Sequence, residues 1–169
     1  TFGRKVVALD NLGQADWILR RPGLLSTLTV NAQAVYAGGE LGEIYAIDLA
    51  DGTQAWSYNV GSPLVHIATG GPAGAPVIAC EFELDPLDGA GQGVLGLKVS
   101  GDLLWREDGA ASGPAVQPSG TVCFGSRSAA PQLVAIAIDG SEVWTADLPA
   151  LPLAAAQIEF IVVGGIAAT

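Results

Sequence analysis

The segment IYAIDLADGTQAW, residues 44–56, decides the fold because its pattern occurs four times in the chain. A short apolar run leads to a glycine, and a tryptophan follows four residues after that glycine. The other copies are VVALDNLGQADW (6–17), VLGLKVSGDLLW (94–105) and LVAIAIDGSEVW (133–144). These segments hold all four tryptophans of the protein, which indicates an internal repeat of roughly 40 residues.

Each copy predicts a β-hairpin. Residues such as Ile44, Tyr45 and Ile47 favour a strand, and in the last three copies the Asp-Gly or Ser-Gly pair that follows favours a tight turn. The second strand then carries the tryptophan at a fixed distance past the turn. A large indole at a fixed repeat position is best placed between neighbouring units, where it buries a wide area and its N–H finds an acceptor.

Another pair of strands is predicted upstream of each of the last three hairpins. These pairs are LLSTLTV with QAVYAGG (24–39), PLVHIATG with APVIACEF (63–82), and GPAVQPSG with TVCFGS (113–126). A final pair is predicted at LPLAAAQ and EFIVVGG (151–165). Repeated units of four short antiparallel strands are typical of a β-propeller, so we expect an all-β chain of four-stranded antiparallel blades.

The predicted blades add up to four. A half blade (1–20) and a second half blade (151–169) flank three complete blades (24–60, 63–108 and 113–147), and the two halves together supply the fourth. The sequence thus predicts a single β-propeller domain or propeller fragment over residues 1–169. The ring is either closed as four blades or part of a larger ring, and closure would remove exposed sheet edges.

The second copy resembles the tryptophan-docking motif of the quinoprotein-type, pyrroloquinoline-quinone-like β-propellers. That motif reads Ala-x-Asp-x-x-x-Gly-x-x-x-Trp, and Ala46, Asp48, Gly52 and Trp56 match it. The segment VYAGG (35–39) resembles the inner-strand signature of the same family. The resemblance extends over essentially the whole chain, and it implies seven or eight blades in full-length relatives.

The other three copies depart from the motif, because their turns are one residue shorter. The third copy has Gly96 and Lys98 in place of Ala and Asp, and the fourth has Ala137 in place of Asp. Short-turn versions resemble the non-enzymatic branch of the family, which includes outer-membrane assembly proteins and kinase sensor domains. The repeat positions expected to hold the blades together are Ala8, Asp10, Gly13, Trp17, Ala46, Asp48, Gly52, Trp56, Gly101, Trp105, Ala135, Gly140 and Trp144.

Catalysis with a quinone is not expected. The dehydrogenases of the family use an adjacent Cys-Cys pair, a Ca²⁺ site, a catalytic Asp and a Trp stacked on the quinone. Here Cys80 and Cys123 are far apart in the sequence, and all four tryptophans occupy docking positions. The resemblance therefore implies no cofactor and no catalytic residues. We interpret both cysteines as buried thiols and His66, the only histidine, as structural.

Composition excludes further classes of partner. The net charge is −10, from 17 acidic and 7 basic residues, and such a surface repels nucleic acid and anionic lipid. The apolar tail 151–169 is interrupted by Gln157, Glu159 and two glycines, whereas a membrane-spanning helix needs about 20 mostly apolar residues. We therefore expect two strands there and no membrane span.

The insertion ELDPLDGAGQG (83–93) is the feature most specific to this chain. Glu83, Asp85 and Asp88 offer oxygen ligands of the kind Ca²⁺ prefers, but their spacing is not that of an EF-hand. A solvated loop is the favoured interpretation. Because loops on rigid scaffolds often carry binding functions, it is also the predicted place for a partner to bind.

The sequence as a whole favours a non-catalytic binding or scaffold module that engages a protein or small ligand through propeller faces and loops. One alternative is an enzyme of the quinone-dependent dehydrogenase type, and another is a purely structural fragment of a multidomain protein. A homodimer of two half rings is a further expected arrangement, and it would have a wider central channel than a four-bladed ring.

Overall fold

The computed structural model describes residues 3–83, 92–110, 112–126 and 131–148, and those ranges contain strands and no helix. The prediction of an all-β chain is confirmed. The strands are β1 (Gly3–Leu9), β2 (Ala15–Val30), β3 (Ala34–Gly39), β4 (Glu43–Asp48), β5 (Gln54–Asn59), β6 (Leu64–Gly70), β7 (Val77–Glu83), β8 (Gln92–Lys98), β9 (Leu103–Ala110), β10 (Ala115–Val116), β11 (Val122–Ser126), β12 (Gln132–Ile136) and β13 (Glu142–Asp147).

The strands form an initial hairpin followed by three antiparallel four-stranded blades. β1 pairs with the first part of β2, and we call this pair the first hairpin. The second part of β2 pairs with β3 and starts blade 1 (β2–β5), so one 16-residue strand serves both units. Blade 2 comprises β6–β9 and blade 3 comprises β10–β13. The predicted half blade 151–169 lies outside the described residues.

The core lies between the blades. Successive side chains of a strand point to opposite faces, so each middle strand packs on two neighbours. On β4, Ile44 and Ala46 pack toward blade 2, whereas Tyr45 and Ile47 pack toward the first hairpin. Burial on both faces explains why these strands are continuous apolar runs instead of alternating apolar and polar residues.

The two cysteines lie in different environments. Cys80 on β7 is completely buried between blades 1 and 2, as predicted. Cys123 on β11 is only partly buried. Its neighbours Val122 and Phe124 pack on blade 2, so the alternation of the strand turns Cys123 to the opposite face of blade 3.

Candidate protein-binding face

A tryptophan from the first hairpin fastens that hairpin to blade 1. The indole of Trp17 lies over Gly52 in the β4–β5 turn, where a Cβ atom would be 2.6 Å from Cδ2 of the ring. Its Nε1 donates a hydrogen bond to the carbonyl oxygen of Leu49 at 3.0 Å. Two features require a glycine here. Its φ of +73° belongs to the left-handed region, and the indole occupies the space that a side chain would need.

The same contact recurs between blades 1 and 2. Trp56 lies over Gly101, where a Cβ atom would be 2.9 Å from Cδ2 of the ring, and its Nε1 donates to the carbonyl oxygen of Val99 at 2.7 Å. Each unit therefore places its indole on the turn of the unit that follows. These contacts hold the described blades in a fixed order.

The third contact again places an indole beside a turn glycine. Trp105 of blade 2 lies beside Gly140 in the turn of blade 3, but its buried Nε1 has no hydrogen-bond partner among the described residues. The ring also lies close against Gly96, where a Cβ atom would be 2.6 Å from Cε2. This close approach explains why Gly96 replaces the alanine of the repeat.

The remaining repeat residues shape the hairpins. A small residue faces each tryptophan across the ladder, and an aspartate caps the turn in the first two copies. Asp10 accepts hydrogen bonds from the amides of Leu12 and Gln14, both at 2.8 Å, and Asp48 accepts one from Ala50 at 2.7 Å. The facing pairs are Ala8 with Trp17, Ala46 with Trp56, Gly96 with Trp105 and Ala135 with Trp144.

At the opposite edge of the blades lies a groove that the sequence analysis did not identify. The docking turns join the third and fourth strands of each blade, whereas the groove lies where the second and third strands meet and where one blade leads into the next. Its volume is about 630 Å³. We call it the groove, and its lining residues are Gly3, Leu24, Leu25, Ser26, Glu40, Pro63 and Leu64.

Hydrogen bonds between the elements shape the groove. The Leu24 amide donates to Glu40 Oε1 at 3.0 Å, and the Glu40 amide donates to the Leu24 carbonyl oxygen at 3.2 Å. Ser26 Oγ donates to the carbonyl oxygen of Leu64 at 2.9 Å, which ties blade 1 to blade 2. The lining residues are mainly apolar. The carboxylate among them, that of Glu40, is held at the rim by its bond to the Leu24 amide.

A polar cluster lies beside the groove, close to Leu24. The Arg21 guanidinium stacks over the Tyr45 ring at 4.4 Å from its centroid, and Tyr45 donates a hydrogen bond to Glu43. Burial is the main factor that raises the pKa of Tyr45 to about 12, and the bond to Glu43 and its charge act in the same direction. The Tyr45 hydroxyl therefore stays protonated at neutral pH and serves as the hydrogen-bond donor to Glu43.

Glu81 is the buried charged residue of the described core, and the sequence analysis missed it. It faces His66 across the β6–β7 ladder, and both side chains lie close to Gly113. Burial raises the pKa of the Glu81 carboxyl from its ordinary value of 4.5. The two groups line one position between blades 2 and 3.

We expect Glu81→Gln to stabilise the protein more at pH 7 than at pH 4. A raised folded-state pKa means that the stability contributed by the protonated carboxyl is complete below pH 4.5 and is lost as the pH rises through the raised pKa. Glutamine avoids that loss. Thermal unfolding at both pH values measures the difference, and Glu107→Gln on the exposed face of β9 is the matched control. An equal effect of Glu81→Gln at both pH values would contradict this account.

Three site expectations concern the 83–93 loop, metal ions and the membrane. The middle of the predicted 83–93 loop, with Asp85 and Asp88, lies outside the described residues. Within the described ranges, no group of three or more His, Cys, Asp or Glu side chains is placed to hold a metal ion. No helix in the described part of the chain is long and apolar enough to cross a membrane.

Comparison with solved structures establishes the type of fold. The chain is similar to BamB from Moraxella catarrhalis with a TM-score of 0.67 and 18% identity, over 86% of this chain and 44% of that one. It is similar to BBS1N, solved in complex with ARL6DN, with a TM-score of 0.64 and 19% identity, over 88% of this chain and 48% of that one. The predicted β-propeller fold is confirmed, and this chain spans about half the length of those solved chains.

Comparison of sequences identifies the family. The chain is 46% identical to the outer membrane protein assembly factor BamB of Salmonella typhimurium over 52 residues, which are 30% of this chain and 13% of that protein. A family model described as outer membrane protein assembly factor BamB matches residues 1–89, more than half of the chain. The chain therefore belongs to the BamB family, whose pyrroloquinoline-quinone-like repeats build a β-propeller.

Proposed function

We propose that this chain is a non-catalytic scaffold segment whose groove binds a protein that takes part in outer-membrane protein assembly. The observation that carries the proposal is the groove itself, about 630 Å³ of mainly apolar space at one edge of the blades. The class of partner follows from the family, since its named members are assembly factors for outer membrane proteins.

The lining favours an extended protein segment with apolar side chains. Leu24 is 49% exposed, and it lies with Pro63 and Leu64 along the groove. Glu40 is the one charged residue of the lining. The carboxylate and the net charge of −10 favour a partner with basic residues beside its apolar ones.

The frame behind the groove supports a scaffold function. Ser26 and Leu64 join blades 1 and 2 at the groove, and Trp56 fastens the same two blades at the opposite edge. A surface held at both edges needs little reorganisation when a partner binds, which lowers the entropic cost of association.

The same observations support a protein without catalytic activity. Trp17, Trp56 and Trp105 each pack against a turn glycine, which favours a docking role for these indoles over quinone stacking. Cys80 is buried, and burial raises the pKa of its thiol, so it remains protonated and unreactive.

Photo-crosslinking in cells with an outer membrane tests the proposal. A photoreactive amino acid in place of Leu24, in the full-length protein, is expected to give a light-dependent adduct with an outer membrane protein or with a component that assembles such proteins. Mass spectrometry identifies the adduct. The adduct is expected to be absent from samples kept in the dark.

Leu103 provides the matched control. It is also a leucine, 46% exposed, but it begins β9 at the edge where the docking turns lie. The same photoreactive residue at Leu103 is expected to give no adduct with that partner. Equal adducts from both positions, or adducts only with proteins unrelated to outer-membrane assembly, would overturn the proposal.

A further inference from the structure

The contact between blades 2 and 3 differs from the other docking contacts in the place of its indole. Beside Gly52 and Gly101, the indole atom nearest to the Cβ position of the glycine is Cδ2, within the ring system. Beside Gly140 the nearest atom is the Cβ of Trp105, at 3.0 Å, and the ring itself lies over Gly96 of its own blade. The Trp105 indole is therefore turned back from the blade 3 turn onto its own hairpin.

The blade 3 turn is built in the same way as the turn that receives Trp56. Two backbone hydrogen bonds close each turn, over residues 98–102 in blade 2 and 137–141 in blade 3, and their lengths lie between 2.8 and 3.0 Å. Ile138 occupies the place of Val99, whose carbonyl oxygen accepts the hydrogen bond from Trp56. The blade 3 turn therefore offers a backbone carbonyl at the same place.

Gly96 permits the turned-back position of the indole. It faces Trp105 across the β8–β9 ladder, where the first two copies have Ala8 and Ala46 opposite their tryptophans. A Cβ atom at residue 96 would lie 2.6 Å from Cε2 and 2.8 Å from Nε1 of the indole. Both atoms belong to a rigid ring, so the whole indole would have to move. An alanine at this position thus excludes the observed place of Trp105.

The turned-back position leaves a donor unused. Trp105 is 7% exposed, and its buried Nε1 has no hydrogen-bond partner among the described residues, whereas Trp17 and Trp56 donate to turn carbonyls. An unpaired buried donor is destabilising, because it has lost its hydrogen bonds to water and gained none in return. Packing of the ring on Gly96 offsets that loss. Movement of the indole to the turn would exchange this packing for a hydrogen bond.

A second link that joins blades 1 and 2 has no counterpart between blades 2 and 3. Thr27 Oγ1 accepts a hydrogen bond from the Ile67 amide of blade 2 at 3.1 Å. Ile67 stands directly before Ala68, and Pro114 stands directly before Ala115, the corresponding residue of blade 3. Proline has no N–H, so blade 3 cannot supply this donor. A docked indole would thus add a polar link to a junction that lacks one at this position.

We propose that Trp105 and the blade 3 turn form a latch that Gly96 holds open. In the open state the indole lies over Gly96. In the closed state its Nε1 donates to the carbonyl oxygen of Ile138 and fastens blade 3 to blade 2. The Cβ of Trp105 already lies beside Gly140, so rotation about the side-chain bonds is the movement that closes the latch. The attachment of blade 3 is therefore adjustable, whereas the bonds of Trp17 and Trp56 are already made.

Gly96→Ala tests the latch in the full-length protein. Gly96 has no positive φ, so alanine fits the backbone, and its methyl group is expected to move the indole onto the blade 3 turn. The indole N–H resonance of Trp105, assigned in NMR spectra with a Trp105→Phe variant, is then expected to move downfield toward that of Trp56. The midpoint of thermal unfolding is expected to rise, because a hydrogen bond is gained and alanine restricts the unfolded chain.

Two further variants separate the latch from a simple change in packing. Trp105→Phe removes the donor, so adding it to Gly96→Ala is expected to remove the rise in the midpoint that the hydrogen bond supplies. Ala46→Gly is the reverse change in blade 1, and it is expected to move the Trp56 N–H resonance upfield as the indole leaves Val99. This second variant tests the role of the facing residue even if Gly96→Ala does not fold.

Three results would overturn the proposal. The first is a Trp105 N–H that already has the downfield resonance of a bonded indole in the unsubstituted protein. The second is a Gly96→Ala variant whose Trp105 resonance is unmoved or whose unfolding midpoint falls, as expected if the methyl group only clashes with the ring. The third is a Trp56 resonance that Ala46→Gly leaves unchanged.

Discussion

Replacing Trp56 with alanine is expected to lower the free energy of unfolding by about 3 kcal/mol, the lower end of the range for Trp→Ala changes in protein cores. The lower end applies because the indole is half-buried. The lost interactions are its packing on Gly101, its 2.7 Å hydrogen bond to Val99, and its contact with Tyr36, whose ring centroid is 6.0 Å away. Urea unfolding followed by circular dichroism measures the change.

Trp56→Phe separates packing from hydrogen bonding. Phenylalanine keeps a ring over Gly101 but cannot donate to Val99, so a loss of about 1 kcal/mol is expected from the missing bond. The alanine variant should therefore be clearly less stable than the phenylalanine variant. A midpoint for Trp56→Ala equal to that of the unsubstituted chain would show that the indole does not join blades 1 and 2.

The blade pattern was predictable because short stretches of sequence determine it. Gly52 and Trp56 are four residues apart, and the strands on either side of the turn alternate or run apolar over a few residues. Such signals depend on local backbone geometry, and strands form at the apolar runs on either side of each turn. Repetition strengthens the prediction made from each copy, since a chance pattern would not recur at every tryptophan.

The groove was not predictable from those local signals. Leu24, Glu40 and Pro63 come from three separate connections, and only the packing of blade 1 on blade 2 brings them together. The hydrogen-bond acceptors of the indole N–H groups were not predictable for the same reason. The sequence predicts that each indole lies between units, but the carbonyls of Leu49 and Val99 are identified only by the angle at which the next blade packs.

Glu81 and Cys123 show how an apolar run can mislead. Glu81 lies in VIACEF, where its neighbours Cys80 and Phe82 are buried, and the run as a whole reads as an interior strand. Burial of its carboxyl results from the approach of blade 3 at Gly113, which the run itself does not encode. Cys123 lies in a similar run but faces away from blade 2, so the run overstates its burial.

Gly39 is the position where the blade tolerates a side chain least. A Cβ atom there would lie 1.8 Å from the carbonyl oxygen of Leu24 and 2.9 Å from Cα of Leu25. Both are backbone atoms of the paired strand β2, so no side-chain rotation can relieve the contact. The ladder is already irregular at this point, with a shift in register between Leu25 and Thr27. Relief therefore requires β2 and β3 to separate.

Gly39→Ala is accordingly expected to lower the free energy of unfolding by about 3 kcal/mol, the upper end of the usual cost of overpacking. Separation of the strands also weakens the hydrogen bond from the Glu40 amide to Leu24, and it deforms the groove that Leu24 lines. Gly74→Ala is the matched control, because Gly74 has no positive φ and nothing lies within 4 Å of its Cβ position. Urea midpoints for the two variants give the comparison. If Gly39→Ala proved as harmless as Gly74→Ala, the close approach of β2 to β3 described here would be wrong.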